Sequence, residues 1–196
     1  MKRISVFCGS SRGLGEEYAA AARALGRALM HKKIGLVFGG GAVGLMGEIA
    51  RTVMVGGGEV IGVIPEALAK KEVAMNNLSD LRIVTSMHER KALIAELSDG
   101  FIALPGGLGT IEEIFEVLTW AQLGIHQKPC GFLNVCNYFK HLVEFLDHMV
   151  RQNFIDSKHR SLINIAEDPG VLLNHFESYV PPVYDKSTWA LRMSNI

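Results

Sequence analysis

Residues 101–113, which read FIALPGGLGTIEE, contain the transition that decides the fold. Phe101–Leu104 is an apolar run typical of a strand that is buried on both faces, and a helical pattern follows from Ile111 to Leu123. The loop Pro105–Thr110 between them contains three glycines. A strand, a glycine-rich loop and a helix in this order are typical of a parallel α/β sheet.

The same alternation continues in both directions along the chain. Further strands are predicted at Ile4–Cys8, Gly35–Phe38, Val60–Ile64, Leu81–Thr85, Gly131–Val135 and Ile163–Ala166. Helices are predicted at Glu16–His31, Leu45–Val55, Met87–Ser98, Tyr138–Gln152 and Gly170–Tyr179, with a short helix and a loop within residues 66–80. The sequence therefore predicts one doubly wound α/β domain over residues 1–180, with a mostly parallel, Rossmann-like sheet and helices on both faces. Residues 181–196 are expected to form a C-terminal tail.

The composition of the chain limits the classes of function to consider. The 196 residues include 20 Lys plus Arg and 20 Asp plus Glu, and this net charge of +0 does not favour nucleic acid as a partner. The longest uncharged stretch, Ile34–Gly47, is 14 residues long, whereas a membrane span needs roughly 18 apolar residues. The apolar run after Arg3 is too short for a signal peptide. We expect a soluble, cytoplasmic protein with no membrane partner.

Cysteine and histidine spacing does not predict a metal site. Cys8, Cys130 and Cys136 form no C-x-x-C pair, and three thiols cannot all pair within one chain. His141 and His148 are seven residues apart, whereas helical zinc ligands are more usually three or four apart. Free thiols and no metal are expected.

Three glycine-rich loops follow predicted strands, at Gly9–Gly15, Gly39–Gly47 and Gly106–Gly109. Carboxyl ends of parallel strands share one edge of a sheet, where glycine lets main-chain amides approach an anion and helix N-termini favour it. A ligand that carries phosphate is therefore predicted at this edge. From the first two loops, the residues expected to contact it are Gly9, Ser10, Gly39, Gly40 and Gly41.

The segment Gly39–Gly44 also matches the dinucleotide pattern G-x-G-x-x-G, so an oxidoreductase is an alternative. That pattern requires an acidic residue at the end of the next strand to hold a ribose. Glu59 has the right separation but precedes the strand Val60–Ile64, which weakens this alternative. No P-loop motif is present.

Two helix starts carry charged residues beyond what capping needs. Thr110 and Glu113 have the spacing of a capping box, as do Ser86 and Glu89. In the second helix, Arg90 and Lys91 then lie near the N-terminus, where cations oppose the helix dipole. A ligand anion or a catalytic carboxylate would supply the compensating negative charge.

These motifs together resemble the Lonely Guy (LOG) family. Pro105–Glu113 fits the family signature P-G-G-x-G-T-x-x-E, Met87–Lys91 is similar to its second motif, and Gly39–Gly47 resembles its first glycine loop. The resemblance covers Ile4 to about Ala166. LOG proteins are cytokinin riboside 5′-monophosphate phosphoribohydrolases, which cleave the N-glycosidic bond of N6-modified adenosine monophosphates, and often of AMP. The products are the free base and ribose 5-phosphate.

The resemblance also implies roles for individual residues. Arg90 and Glu113 correspond to the catalytic pair. The substrate contacts that it implies are Glu72, Lys91, Gly106, Gly107, Leu108, Gly109, Thr110, Ile111, Glu112 and Thr119, with the Gly106–Thr110 loop holding the 5′-phosphate. It implies a homodimer or an assembly of dimers, and no metal or cofactor.

A nucleotide-like cofactor carrier, similar to molybdenum-cofactor carriers, is the alternative that the resemblance leaves open. A carrier would not need the Arg90–Glu113 pair.

Overall fold

Seven strands form one parallel sheet in the computed structural model, which describes residues 1–69, 74, 75, 78 and 80–182. The strands are β1 (Arg3–Phe7), β2 (Gly35–Phe38), β3 (Val60–Pro65), β4 (Asp80–Val84), β5 (Phe101–Ala103), β6 (Cys130–Leu133) and β7 (Ile163–Ala166). Their order across the sheet is β4-β3-β2-β1-β5-β6-β7. The predicted doubly wound α/β fold is confirmed.

The helices cover both faces of the sheet. They are α1 (Glu16–His31), α2 (Gly44–Val55), α3 (Glu66–Ala69), α4 (Met87–Leu97), α5 (Leu108–Gln122), α6 (Lys140–Arg151), α7 (Ser157–Arg160) and α8 (Pro169–Glu177). Buried residues of α1, α2 and α8 form one apolar cluster with the sheet, and those of α4 and α5 form a second. Strands β2, β3, β5 and β6 are buried along their whole length because both of their faces are covered.

Alternate residues of β1 show how one strand serves both clusters. Ile4 and Val6 belong to the cluster with α1 and α2, whereas Phe7 belongs to the cluster with α4 and α5. This follows from the two-residue period of a strand.

Several predicted boundaries were wrong. The strand predicted to extend to Val135 ends at Leu133, because Cys136 and Asn137 have φ of 49° and 58° and bend the chain through a short 3₁₀ turn. Helix α7 was not predicted; the Asp156 carboxylate caps it by accepting a 2.7 Å hydrogen bond from the amide of Lys158. Most of the predicted tail, residues 183–196, lies outside the described residues.

The strand order places a crevice at one defined point. After β1 the chain builds the sheet in one direction as far as β4, and it then returns to place β5 on the other side of β1. The loops after β1 and β5 therefore diverge, and open α/β sheets bind ligands at such a switch point. Among the described residues, no helix has both the length and the apolar character to cross a membrane.

Candidate active site

The three glycine loops meet at the switch point, as predicted. The amide of Gly9 donates to the carbonyl of Pro105 (3.0 Å), and the amide of Leu45 donates to the carbonyl of Gly9 (3.0 Å). A Cβ on Gly44 would overlap the main chain of Ser10, and φ is +60° at Gly44, so glycine is required there. The loops therefore form one continuous backbone surface.

The third loop presents the N-terminus of α5. This helix is capped by Gly107, which has no side chain to bond the amides of the first turn. The first helical bond runs from the amide of Ile111 to the carbonyl of Gly107 (3.2 Å). A Cβ on Gly107 or Gly109 would meet no described atom within 4 Å. The amides of the first turn are thus open to an anion.

The predicted capping box at Thr110 and Glu113 was wrong. Because α5 begins at Leu108, Thr110 lies inside the first turn instead of before it. Thr110 is buried, and a Cβ on Gly106 would overlap its hydroxyl. Capping therefore does not account for the carboxylate of Glu113.

Arg90 crosses the carboxyl ends of two strands. Its side chain is buried, with Nε donating to the carbonyl of Val63 (3.1 Å) and Nη2 donating to the carbonyl of Gly39 (3.1 Å). A Cβ on Gly39 would overlap Nη2. Two main-chain bonds therefore fix the plane of the guanidinium.

The start of α4 places Arg90 at this point. The hydroxyl of Ser86 accepts a hydrogen bond from the amide of Glu89 (3.1 Å), which confirms that half of the predicted capping box. The carboxylate of Glu89 bonds the amide and hydroxyl of Thr85 (2.8 and 2.7 Å) instead of returning to Ser86. The first turn of α4 is therefore firmly anchored to the end of β4.

Glu113 faces Arg90 from α5. Its Oε1 lies 3.8 Å from Nη1 of Arg90, and it accepts no hydrogen bond from a residue that the structure describes. Burial raises the pKa of Glu113, the charge of Arg90 opposes that effect, and the neighbouring Glu112 carboxylate adds to it. The result is a largely buried carboxylate whose oxygens are available to a ligand.

Lys91 joins the same two helices. Its ammonium donates to Glu112 (2.7 Å) and to Glu116 (3.0 Å), and the hydrogen bond to Glu112 is the main reason why its pKa is raised. Carboxylates of α5 thus supply the negative charge that we expected to compensate Arg90 and Lys91 at the start of α4. Glu116 was missed by sequence reasoning, although it lies four residues after Glu112 and so on the same helix face.

A cleft with a volume of about 310 Å³ opens beside the loops, lined by Gly9, Ser10, Ser11, Arg12, Gly13, Tyr18, Leu45, Pro105, Gly106, Gly107 and Tyr138. The Tyr138 hydroxyl donates to the carbonyl of Gly106 (2.7 Å), and its ring packs edge-on against Tyr18. The sequence analysis gave neither residue a role: Arg12 lies within the Gly9–Gly15 loop, where only Gly9 and Ser10 were singled out, and Tyr138 lies outside all three glycine loops.

This chain is similar to proteins with a named activity. Residues 46–176 match a family described as possible lysine decarboxylase. A probable cytokinin riboside 5′-monophosphate phosphoribohydrolase of Oryza sativa subsp. japonica is 52% identical over 180 residues, which cover 92% of this chain and 79% of that protein. The chain belongs to the LOG family. A cytokinin riboside 5′-monophosphate phosphoribohydrolase of Arabidopsis thaliana is 48% identical over 193 residues, covering 97% of this chain and 91% of that protein.

Solved structures share the fold of this LOG protein at lower identity. The molybdenum cofactor binding protein from the phototrophic bacterium Rippkaea orientalis has a TM-score of 0.66 and 21% identity, covering 90% of this chain and 96% of that one. The Moco carrier protein from Chlamydomonas reinhardtii has a TM-score of 0.67 and 20% identity, with the same coverage of 90% and 96%. These similarities show the fold alone.

The remaining predicted site residues of the LOG protein lie in three places. Gly40 has φ of +80°, and its carbonyl accepts a bond from the amide of Met75 (3.1 Å), while Gly41 forms an isolated bridge with Ala74. Thr119 lies on the face of α5 that carries Glu112, about 10 Å further along the axis. Ile111 packs against the core. Glu72 lies outside the described residues.

The structure also bears on the oxidoreductase alternative. Glu59 precedes β3 and pairs with Arg3 (2.8 Å) at the edge of the sheet opposite the loops, so it cannot hold a ribose beside them. Within the described residues, no group of three or more His, Cys, Asp and Glu side chains is arranged to hold a metal ion.

Proposed function

We propose that this LOG protein hydrolyses the N-glycosidic bond of adenosine 5′-monophosphates and releases the base and ribose 5-phosphate. The observation that carries the proposal is the Arg90–Glu113 pair, in which a largely buried carboxylate lies on α5, a helix whose N-terminus has no side-chain cap. Relatives named for this activity are 52% and 48% identical over more than nine-tenths of the chain, which supports it. AMP and N6-prenylated AMP are the candidate substrates.

Glycosidic cleavage develops positive charge on the sugar ring, in an oxocarbenium-like state. The carboxylate of Glu113 stabilises that charge and removes a proton from the attacking water. The water oxygen bonds to the anomeric carbon, the electrons of the C–N bond leave with the purine, and the purine takes up the proton. A pKa raised by burial makes Glu113 a better base for this step.

The neighbouring residues bind and orient the substrate. A guanidinium does not serve readily as an acid, so Arg90 acts through its charge and favours the charged form of Glu113. Amides of the Gly106–Thr110 loop bind the 5′-phosphate, and Glu112 binds the ribose hydroxyls. Lys91 holds Glu112 in place. The substrate contacts of Glu72 and Thr119 rest on the family resemblance.

Base release, measured by chromatography, tests the reaction. The substrates are AMP, isopentenyladenosine monophosphate and the two unphosphorylated nucleosides, and we expect release from the monophosphates only. Glu113→Gln should lower kcat by about 100-fold or more, with melting unchanged. Glu144→Gln, an exposed glutamate on α6, is the matched control and should keep full activity. A well-folded Glu113→Gln protein that keeps its activity would remove Glu113 from the mechanism.

The carrier alternative is less supported, because a carrier has no use for a charged pair of this kind. Tight binding of AMP without base release would favour the carrier.

A decarboxylase, which the description of the matched family names, is not supported by Lys91. A lysine that forms a Schiff base needs a lowered pKa, whereas its two carboxylate partners raise the pKa of Lys91.

We also propose that residues 1–180 act as one domain and that the protein is a cytoplasmic homodimer. Three free cysteines, Cys8, Cys130 and Cys136, suit a reducing compartment. Exposed apolar side chains on and after α5 and α6, including Ile125, Phe145 and Phe154, suit a subunit interface.

A further inference from the structure

Among the described residues that line the cleft at the switch point, Arg12 has the only charged side chain. The other lining residues are glycines, serines, tyrosines, a leucine and a proline. One wall is the Gly106–Gly107 segment at the start of α5, and another is the loop after β1 that carries Arg12. An anion in this cleft therefore has Arg12 as its nearest countercharge.

Among the described residues, three arginines bond the carboxylate of Glu48, and Arg12 has fewer hydrogen-bond partners than the other two. Glu48 of α2 is buried and bonds Arg12, Arg23 (3.0 Å) and Arg51 (3.2 Å). Arg23 also pairs with Glu16, and Arg51 also donates to the carbonyl of Ala42 (2.9 Å).

Arg12 bonds only Glu48 among the described residues, and 59% of its side chain is exposed. If Arg12 turns to a ligand, both oxygens of Glu48 keep a partner: Oε1 keeps Arg51 and Oε2 keeps Arg23. The buried carboxylate is then never left uncompensated, so the exchange carries little of the cost of breaking a buried ion pair.

We propose that Arg12 binds the 5′-phosphate of the substrate and determines the preference for nucleoside monophosphates over nucleosides. This rests on the proposed function, in which the Gly106–Thr110 loop binds the same phosphate from the other side. A phosphate monoester carries nearly two negative charges at neutral pH, and the planar guanidinium can donate two parallel hydrogen bonds to it. Helix amides and one guanidinium together complement this dianion.

Arg12→Gln tests the proposal through a separation of KM from kcat. We expect KM for AMP to rise about 10- to 100-fold, the range for a lost hydrogen bond to a charged group, with kcat unchanged. The inhibition constant of adenosine, which has no phosphate, should not change. Arg12→Lys should recover part of the affinity, because it restores the charge without the planar fork.

Arg23→Gln is the matched control, because Arg23 shares Glu48 but does not line the cleft. It should leave KM for AMP unchanged, and thermal melting of each variant reports any loss of structure. An equal rise in KM in the Arg12 and Arg23 variants would show that Arg12 acts only through Glu48 and would overturn the proposal. An unchanged KM in both Arg12 variants would also overturn it.

Calorimetric binding of ribose 5-phosphate separates this inference from the proposed reaction. If the native protein released no base, the hydrolase proposal would fail, but the phosphate site would still be testable. We expect Arg12→Gln to bind ribose 5-phosphate about 10- to 100-fold more weakly than the native protein and the Arg23 variant do. Equal affinity in all three proteins would refute a role for Arg12 in phosphate binding.

Discussion

Arg90 is a buried cation that bonds main-chain carbonyls more closely than it bonds any carboxylate. Its donors to Val63 and Gly39 are at 3.1 Å, whereas Glu113 is 3.8 Å away, beyond hydrogen-bond distance. Arg90 therefore acts on Glu113 through its charge while its own position is fixed by the sheet. Glycine at position 39 is required by this arginine, since a Cβ would overlap Nη2.

The fall of kcat on the acid side of the pH profile, called the acid limb below, tests the protonation state of Glu113. The unprotonated carboxylate is the active form, and burial raises its pKa above the ordinary value of 4.5. As the pH falls through that raised pKa, Glu113 takes up a proton and kcat for AMP should fall, at a pH above 4.5. The measurement is kcat against pH, because the substrate phosphate itself titrates near pH ~6 and would distort kcat/KM.

Glu116→Gln provides a second test of this assignment. The carboxylate of Glu116 raises the pKa of Glu113, so its removal should move the acid limb to lower pH. Glu144→Gln, on α6, should leave the limb in place. An acid limb at the ordinary glutamate value, unchanged by Glu116→Gln, would contradict the assignment of Glu113 as the base.

At the scale of the element, α5 combines a weak cap with an open anion site. Gly107 caps the helix without a side chain, and two of the three glycines in the loop have open space where a Cβ would be. A polar cap would satisfy the same amides that the proposed phosphate needs. The helix therefore lacks a stabilising contact at the position where a ligand would supply one.

Gly107→Asp should separate stability from binding. The backbone of Gly107 has φ of −89°, which any residue adopts, so an aspartate can cap α5. We expect stability to urea to rise by about 0.5 kcal/mol, from the cap and the helix dipole. KM for AMP should rise about tenfold or more, since the carboxylate occupies the amides and repels phosphate. A variant that is stabilised but keeps the native KM would place the phosphate elsewhere.

How far the sequence predicted these elements depends on the range of the interactions. Apolar runs and glycine loops are local signals, and they located the seven strands and the edge where the loops meet. The start of α5 was misplaced because a glycine cap leaves no side-chain signal, and Thr110 to Glu113 has the same spacing inside a helix as at its cap. Arg12–Glu48 and Tyr138–Gly106 join residues 36 and 32 positions apart, so they depend on how helices pack.

At the scale of the whole molecule, exposed apolar side chains occur in both helical layers, and those on the α5–α6 side include two phenylalanines. The layer of α1, α2 and α8 buries a large apolar cluster and carries the arginine cluster around Glu48. On the other side, Phe145 of α6 is 53% exposed, Ile125 after α5 is 66% exposed and Phe154 after α6 is 77% exposed. Large apolar side chains that are exposed on or next to α5 and α6 favour an interface on the α5–α6 side.

Phe145→Asp tests the proposed homodimer. By light scattering at micromolar concentration, the native protein should have about twice the chain mass of 21.4 kDa. A carboxylate buried at an apolar interface should weaken association by at least about 2 kcal/mol, so the variant should move toward the single-chain mass. Val171→Asp is the matched control: it replaces an exposed apolar residue on α8, which packs in the opposite layer, and should leave the native mass unchanged. A native protein at 21.4 kDa would contradict the dimer, and loss of the dimer in the Val171 variant alone would move the interface to the α8 side.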